Sequence, residues 1–200
     1  MIHQFVYCIS LLLILTSCQD PKTDYPLNAC KTLDQGSWYR HAARAEHKWG
    51  VPIEIQLAII YQESGFQSNI RPPKKYVLGI IPWGNVSSAY GYAQALNPVW
   101  GEYMRERGGV LTRRTRFKDA VDFIGWYLHQ ASHSLGISKN DAFNLYMVYH
   151  EGISGYKSGS YKKNKLLNAS AKKVQDMALL YKKQLADCRG TLRFMSLYYY

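Results

Sequence analysis

Residues 59–66 read Ile59-Ile60-Tyr61-Gln62-Glu63-Ser64-Gly65-Phe66 and end an apolar helical stripe with a carboxylate. Ile55, Ile59 and Glu63 are spaced i, i+4 and i+8, so they share one helix face, and the carboxyl group lies on its buried side. Burial and the negative end of the helix dipole both disfavour ionisation, so we expect a raised pKa for Glu63. A carboxyl group that stays protonated near neutral pH suits a general acid for glycosidic cleavage. The segment alone also allows a solvated glutamate before a glycine helix stop.

The chain has the size and composition of one globular domain. It has 200 residues, of which 47% are hydrophobic and 20% are charged, which excludes a disordered protein. Helical periodicity dominates and predicts a mainly α fold, with helices over 38–49, 53–63, 98–107, 117–134, 140–150 and 170–186. We expect a tether over 19–33, a single domain over 34–190 and a C-terminal tail over 191–200, of which residues 198–200 are expected to be disordered.

The first eighteen residues predict a secretion signal. Residues 1–18 contain no Lys, Arg, Asp or Glu, and the apolar run Phe5–Leu15 is too short to span a bilayer comfortably. Their ending, Leu15-Thr16-Ser17-Cys18, resembles the lipobox of bacterial lipoproteins, which implies cleavage before Cys18 and membrane attachment through lipid on Cys18. Gln19 follows Cys18, and by resemblance to lipoprotein sorting this favours the outer membrane over the inner one, facing the periplasm. The alternative is a short buried core segment.

The basic charge predicts an anionic partner. The net charge is +11, and all of it falls after the signal, which suits a wall polymer rich in carboxylates, an acidic membrane surface or nucleic acid. Its Lys and Arg residues are scattered in short groups, and an exported protein does not meet nucleic acid. We therefore expect no nucleic-acid partner.

Four cysteines divide into two pairs. Cys8 lies in the signal and Cys18 would carry lipid, so Cys30 and Cys188 remain in the mature chain. In an oxidising compartment a disulfide between these two is the economical assignment, and two free thiols are the alternative.

The sequence predicts neither a metal site nor a cofactor. Neither Cys30 nor Cys188 has a second ligand at a metal-binding spacing. His129 and His133 have the spacing of a helical zinc pair, but Gln130 stands where that motif has glutamate, so two surface histidines are expected.

Residues Asn69–Ser88 form a long insertion that contains three prolines. The sequence carries no β-hairpin signal of weight, and a structureless segment of this length in a compact domain is usually functional. Lys74, Lys75, Tyr76 and Trp83 are candidates for lining a sugar cleft, and a packed surface loop is the alternative.

Two further motifs follow Glu63-Ser64 along the chain. They are Ser88-Ala89-Tyr90-Gly91-Tyr92-Ala93-Gln94-Ala95-Leu96 and Tyr149-His150-Glu151-Gly152. In this order the three motifs resemble the lytic transglycosylases with a soluble-lytic-transglycosylase (SLT) domain, over roughly residues 38–186. The resemblance implies a lysozyme-like single domain that acts on peptidoglycan glycan strands, and we expect a monomer.

The resemblance also implies roles for individual residues. Glu63 matches the catalytic acid/base, Ser64 the serine that helps to hold the sugar or the intermediate, and Tyr149 the tyrosine whose hydroxyl orients the catalytic carboxyl. The implied substrate-binding residues of the second and third motifs are Tyr90, Gly91, Tyr92, Gln94, His150, Glu151 and Gly152. The family more often has Asn and a small residue at positions 150 and 151, so the contacts of these two residues stay open.

By the same resemblance, Glu63 acts alone as acid and base. It protonates the glycosidic oxygen of a MurNAc-GlcNAc link and then accepts the proton of the MurNAc C6 hydroxyl, which gives a 1,6-anhydromuramoyl end. A hydrolytic muramidase is one alternative, in which Glu151 holds a water as base. A noncatalytic wall-binding lipoprotein is the other.

Overall fold

The computed structural model describes residues 28–198, and this part of the chain is mainly helical. The prediction of a mainly α single domain is confirmed. Within the described residues the helices are α1 (Ala29–Leu33), α2 (Trp38–Trp49), α3 (Ile53–Ser64), α4 (Asn97–Glu106), α5 (Phe117–Leu135), α6 (Ala142–Ser158) and α7 (Lys165–Tyr198), with a short 3-10 helix over Ser160–Lys163.

Both ends of the domain differ from the predicted boundaries. Residues Ala29–Leu33, predicted as the end of the tether, form α1, in which Ala29 and Leu33 are fully buried. At the other end, residues 191–198 were assigned to the C-terminal tail and continue α7, and Leu192 is buried. Helix α1 has only five residues, too few for a periodic signal, and it packs against α7.

The prediction that residues 69–88 lack a β-hairpin is wrong. Strands β1 (Lys74–Val77) and β2 (Ile81–Asn85) pair antiparallel, with Tyr76 opposite Pro82 and Val77 opposite Ile81. Their side chains are exposed along nearly the whole length of both strands.

Helix α3 forms the centre of the core. All residues from Ile53 to Ile60 are buried, and the helix contacts α2, α5 and α7. A helix that is buried around its whole circumference is surrounded by other elements, so α3 is a central helix. The position of α3 fixes Glu63 at its C-terminal end, where Gly65 adopts a φ of 57° and terminates the helix.

Charged residues at the start of α3 join it to α7. The Glu46 carboxylate accepts a hydrogen bond from the backbone N–H of Ile53 at 3.0 Å, which places a negative charge at the helix N-terminus. Arg189 on α7 forms ion pairs with Glu46 at 3.3 Å and with the buried Glu54 at 3.5 Å. This cluster compensates the burial of Glu54 and anchors α7 beside α3.

Asp122 holds α2 and α4 against α5. Its carboxylate accepts hydrogen bonds from Trp49 Nε1 at 2.9 Å, from the Tyr103 hydroxyl at 2.8 Å and from Lys48 Nζ at 2.9 Å. Because Asp122 precedes Phe123 directly, the same contacts fix the part of α5 that faces Glu63.

A disulfide joins Cys30 in α1 to Cys188 in α7, across 158 residues of sequence. The bond links the first and last helices of the described residues, and it is the pairing that the cysteine count predicted.

The predicted signal at residues 1–18, the predicted lipidation site Cys18 and the first part of the predicted tether lie outside the described residues. Among residues 28–198, no helix is both long and apolar enough to cross a membrane.

Candidate active site

A cleft of about 300 Å³ opens at the C-terminal end of α3. Its walls come from α3, the loop before α4, α4 itself, α5 and α6. The lining residues are Glu63, Ala89, Gln94, Ala95, Leu96, Val99, Phe123, Tyr127, Tyr149 and His150. Four predicted site residues therefore meet in one cleft, namely Glu63, Gln94, Tyr149 and His150.

Glu63 carries the carboxyl group of this cleft. The residue is partly accessible because it lines the opening, whereas protein atoms surround most of its carboxyl group. This desolvation raises the pKa of Glu63 to about 7, although a hydrogen bond from Tyr146 and the positive charge of His150 both lower it. Near neutral pH, therefore, the carboxyl group exists in both the acid and the carboxylate form.

Tyr146, one helical turn before His150 on α6, is a neighbour of Glu63 that none of the three motifs contains. Its side chain is buried, and its hydroxyl is hydrogen-bonded to Glu63 and to the side chain of Gln62. Burial and the negative charge of Glu63 raise the pKa of Tyr146, so its hydroxyl stays protonated and is available as a donor. A donor to the carboxylate stabilises the ionised form and fixes the orientation of the carboxyl group.

The predicted role of Tyr149 in orienting Glu63 stays a prediction, and the hydrogen bond of its hydroxyl goes to another group. Its hydroxyl donates to the backbone carbonyl of Ala93 at 2.5 Å, so its single proton serves the loop and not the carboxylate. The ring still lines the cleft and makes an edge contact with Tyr127 at 5.5 Å between centroids. Tyr149 therefore holds the second motif against α6.

The second motif shapes the cleft wall through its backbone. Gly91 has a φ of 77°, and a Cβ atom there would lie 2.2 Å from the carbonyl oxygen of Arg114, so only glycine fits. The close approach that this glycine permits is thus to the protein's own chain, not to a sugar. Gln94 has a φ of 45°, held by hydrogen bonds from its Nε2 to the carbonyls of Gly91 at 2.8 Å and Ile70 at 3.1 Å.

Six of the eight predicted binding residues lie outside the cleft lining, and three of them, Ser64, Tyr92 and Tyr90, make contacts elsewhere. Ser64 is buried, and its hydroxyl donates back to the Ile60 carbonyl at 3.1 Å within α3, so a contact of this hydroxyl with sugar stays a prediction. Tyr92 packs edge-on against Trp38 and Phe117 in the core. The ring of Tyr90 is instead covered by the guanidinium group of Arg71, 3.7 Å from the ring centroid.

The third motif divides between the cleft and a helix kink. His150 lines the cleft, and its Nδ1 lies 3.0 Å from an Oε1 atom of Glu151, which does not line it. Gly152 has φ 76° and ψ 166° and kinks α6 just after the cleft. Neither Gly152 nor the residues that follow it in α6 line the cleft.

Phe123 and Tyr127 on α5 form an apolar wall that none of the three motifs contains. Tyr127 also donates a hydrogen bond from its hydroxyl to the Val148 carbonyl at 3.3 Å, which ties α5 to α6. No feature of the sequence separates cleft wall from core at these two positions.

Within residues 28–198, no group of three or more His, Cys, Asp or Glu side chains is placed to hold a metal ion. His129 is engaged elsewhere, with its Nδ1 3.1 Å from the Trp49 carbonyl and 2.9 Å from Lys139 Nζ.

The raised pKa of Glu63 predicts a pH-dependent stability. Its pKa is about 7 in the folded chain and 4.5 in the reference state, so the stabilisation is present below pH 4.5 and is lost as pH rises through 7. Between pH 5 and 8, the free energy of unfolding of wild type should fall by about 2 kcal/mol relative to Glu63→Gln. Urea titrations of both chains at the two pH values measure this difference, and an unchanged difference would contradict the pKa shift.

Removing the Tyr146 hydroxyl should slow turnover. A hydrogen bond to a charged group contributes about 1.5 to 3 kcal/mol, so Tyr146→Phe should lower kcat by about 10- to 100-fold. Because the same bond lowers the pKa of Glu63, its loss should also move the alkaline limb of the pH–rate profile upward.

Tyr149→Phe is the matched control for this prediction. It deletes the hydroxyl of the neighbouring tyrosine on α6, whose bond goes to Ala93, and should leave the position of the alkaline limb in place. Equal effects of both variants on kcat and on that limb would refute the special role of Tyr146.

These contacts assemble one cleft that holds a carboxyl group poised between two protonation states, beside apolar and amide surfaces that suit a sugar chain. Neither a search of curated proteins nor a search of solved structures finds a match to the chain. The family model described as Transglycosylase SLT domain matches residues 6–188, and the chain therefore belongs to the SLT-domain family of lytic transglycosylases.

Proposed function

We propose that this chain cleaves the β-1,4 link between MurNAc and GlcNAc in peptidoglycan without consuming water, with Glu63 as its single acid/base. Family membership supports peptidoglycan as the substrate. The observation that carries the finer proposal is the Glu63 carboxyl group, which lines the cleft with a pKa of about 7 and a hydrogen bond from Tyr146.

The proposed reaction has two proton transfers through the same carboxyl group. In the first, protonated Glu63 donates to the glycosidic oxygen, the C1–O bond breaks, and the bonding electrons go to the departing GlcNAc oxygen. In the second, the Glu63 carboxylate accepts the proton of the MurNAc C6 hydroxyl while that oxygen bonds to C1. The products are a 1,6-anhydromuramoyl end and a GlcNAc end, and Glu63 is protonated again.

A pKa near 7 suits both steps of this cycle. A group with that pKa is protonated often enough to donate at neutral pH, and its conjugate base is strong enough to accept a hydroxyl proton. The hydrogen bond from Tyr146 supports the second step, because it holds the carboxylate once the first proton has left. The N-acetyl group of the substrate stabilises C1 between the steps, which removes the need for a second carboxylate.

The hydrolytic alternative needs a second carboxylate that places a water opposite the leaving group. Glu151 is the candidate, but its side chain faces His150 and does not line the cleft. We therefore favour the anhydro route. A noncatalytic wall-binding role is also disfavoured, because desolvating Glu63 opposes its ionisation and gives no advantage to a module that only binds.

For its location we propose a periplasm-facing lipoprotein, attached through lipid on Cys18 with the outer membrane favoured, that acts as a monomer. The lipobox-like ending Leu15-Thr16-Ser17-Cys18 and the following Gln19 support this proposal.

Digestion of purified sacculi tests the proposed function. The chain should release soluble muropeptides with 1,6-anhydro ends. Reducing ends would establish the hydrolase instead, and binding to sacculi without release would establish the noncatalytic reading.

A further inference from the structure

The β1–β2 hairpin exposes a concentration of apolar side chains. At its turn and along its strands, Leu78 is 84% exposed, Ile80 78% and Trp83 72%, and Tyr76, Val77 and Ile81 are also exposed. None of these residues lines the cleft around Glu63. A monomer in water rarely exposes so many large apolar groups in one place without a partner for them.

At the turn of the hairpin, an exposed leucine occupies a backbone conformation that is unfavourable for it. Leu78 and Gly79 have φ values of 54° and 74°, and such left-handed positions ordinarily take Gly, Asn or Asp. Leucine at position 78 is unfavourable for the backbone and gains no contact in the fold. A residue that violates local preference without a packing gain indicates a function outside the fold.

The side chains are ordered along the hairpin by polarity. Lys74, paired with Asn85, and Lys75 lie at the base, Tyr76 lies farther along β1, and Leu78 and Ile80 lie at the turn. This order matches the layers of a bilayer surface. Cations favour the lipid phosphates, aromatic rings the interface and aliphatic side chains the acyl chains. At about 3.3 Å per residue, the part from Tyr76 to Leu78 spans about 7 Å, the depth to which interfacial segments insert.

We propose that the β1–β2 hairpin inserts its turn into the surface of an anionic phospholipid bilayer. Both faces of the hairpin are exposed, and a bilayer covers an inserted segment from every side, whereas a groove on a protein partner covers one face. The two lysines at the base and the net charge of +11 complement the anionic headgroups. This interaction goes beyond the proposed function and does not depend on catalysis.

Insertion would also orient the cleft. The hairpin follows Ile70, whose carbonyl accepts hydrogen bonds from the Gly91 backbone N–H at 3.2 Å and from Gln94 Nε2 at 3.1 Å. Gln94 lines the cleft, so a hairpin fixed in the bilayer holds the cleft wall close to the membrane surface.

The test uses the full chain with Cys18→Ser, so that no lipid can be attached, and vesicles of phosphatidylcholine with or without 30% phosphatidylglycerol. Vesicles with brominated acyl chains should quench the fluorescence emission of Trp83. The difference between the wild-type and Trp83→Phe chains gives the part of the emission that comes from Trp83. Because all variants keep residues 1–27, a chain held to vesicles by that segment alone would leave Trp83 unquenched.

Leu78→Asn with Ile80→Asn should lower Trp83 quenching and reduce partitioning into anionic vesicles about 10-fold or more. Asparagine tolerates the left-handed φ at position 78, so the fold should persist, as a melting curve will check. Lys74→Gln with Lys75→Gln should lower binding to anionic vesicles about 10-fold and leave binding to neutral vesicles unchanged within about twofold.

Val110→Asn with Leu111→Asn is the matched control, because it removes two exposed apolar side chains from another loop. It should bind vesicles as wild type does. The proposal is overturned if Trp83 stays unquenched, or if this control loses as much binding as the hairpin variant. It is also overturned if the hairpin variant keeps vesicle binding and loses activity on membrane-free sacculi, since the hairpin would then contact glycan.

Discussion

Glu63→Gln should lower turnover on sacculi by at least about 100-fold, the usual scale for losing a general acid. Glutamine is nearly isosteric with glutamic acid, so the packing at the end of α3 should persist. It can neither donate a proton to the glycosidic oxygen nor accept one from the C6 hydroxyl. Initial rates of muropeptide release from sacculi measure the effect.

Two controls separate this loss from a loss of fold or binding. Glu63→Gln should bind sacculi as wild type does and should be at least as stable at pH 8, because a desolvated carboxylate has been removed. Glu102→Gln, which changes an exposed carboxylate outside the cleft lining, should retain activity within about twofold. Turnover of Glu63→Gln within a few-fold of wild type would exclude Glu63 as the acid/base.

Reduction of the Cys30–Cys188 disulfide should destabilise the domain strongly. The bond closes a loop of 158 residues, and in the chain-entropy model such a loop contributes about 4 to 5 kcal/mol to the free energy of unfolding. For a domain of this size the melting temperature should fall by about 10 °C or more. Thermal unfolding with and without a reductant measures it.

The double variant Cys30→Ser with Cys188→Ser is the control for reductant effects. It should melt at the temperature of the reduced wild type, and reductant should not change it further. If the fully reduced wild type, verified by thiol titration, melts where the oxidised chain does, the disulfide does not stabilise the domain.

The sequence predicted the elements whose periodicity is long and apolar. The bounds of α2 are as predicted, and α3 and α5 differ by one residue, because an apolar helical face and a following glycine specify each of them. Helix α1 has five residues, too few for a periodic signal, and its packing against α7 is a tertiary contact. The sequence did not predict the hairpin, because Leu78 precedes Gly79 at its turn, whereas Asn or Asp ordinarily precedes the glycine of such a turn.

The sequence indicated which carboxyl group lines the candidate site. It did not indicate which tyrosine of α6 lies beside that carboxyl group. Glu63 follows from a single stripe on α3. On α6, the third motif directed attention to Tyr149, yet Tyr146 is the tyrosine that is hydrogen-bonded to Glu63. The two differ by three positions and so share one side of the helix, and only their tertiary contacts, Glu63 for Tyr146 and the Ala93 carbonyl for Tyr149, separate their roles.

Product analysis in water enriched with oxygen-18 tests the central claim most directly. If Glu63 transfers the C6 hydroxyl proton and that oxygen attacks C1, new muramoyl ends form without water. Mass spectrometry of the released muropeptides should then show 1,6-anhydro ends that are lighter by one water than reducing ends and that carry no oxygen-18. Reducing ends labelled with oxygen-18 at C1 would contradict the account and establish hydrolysis.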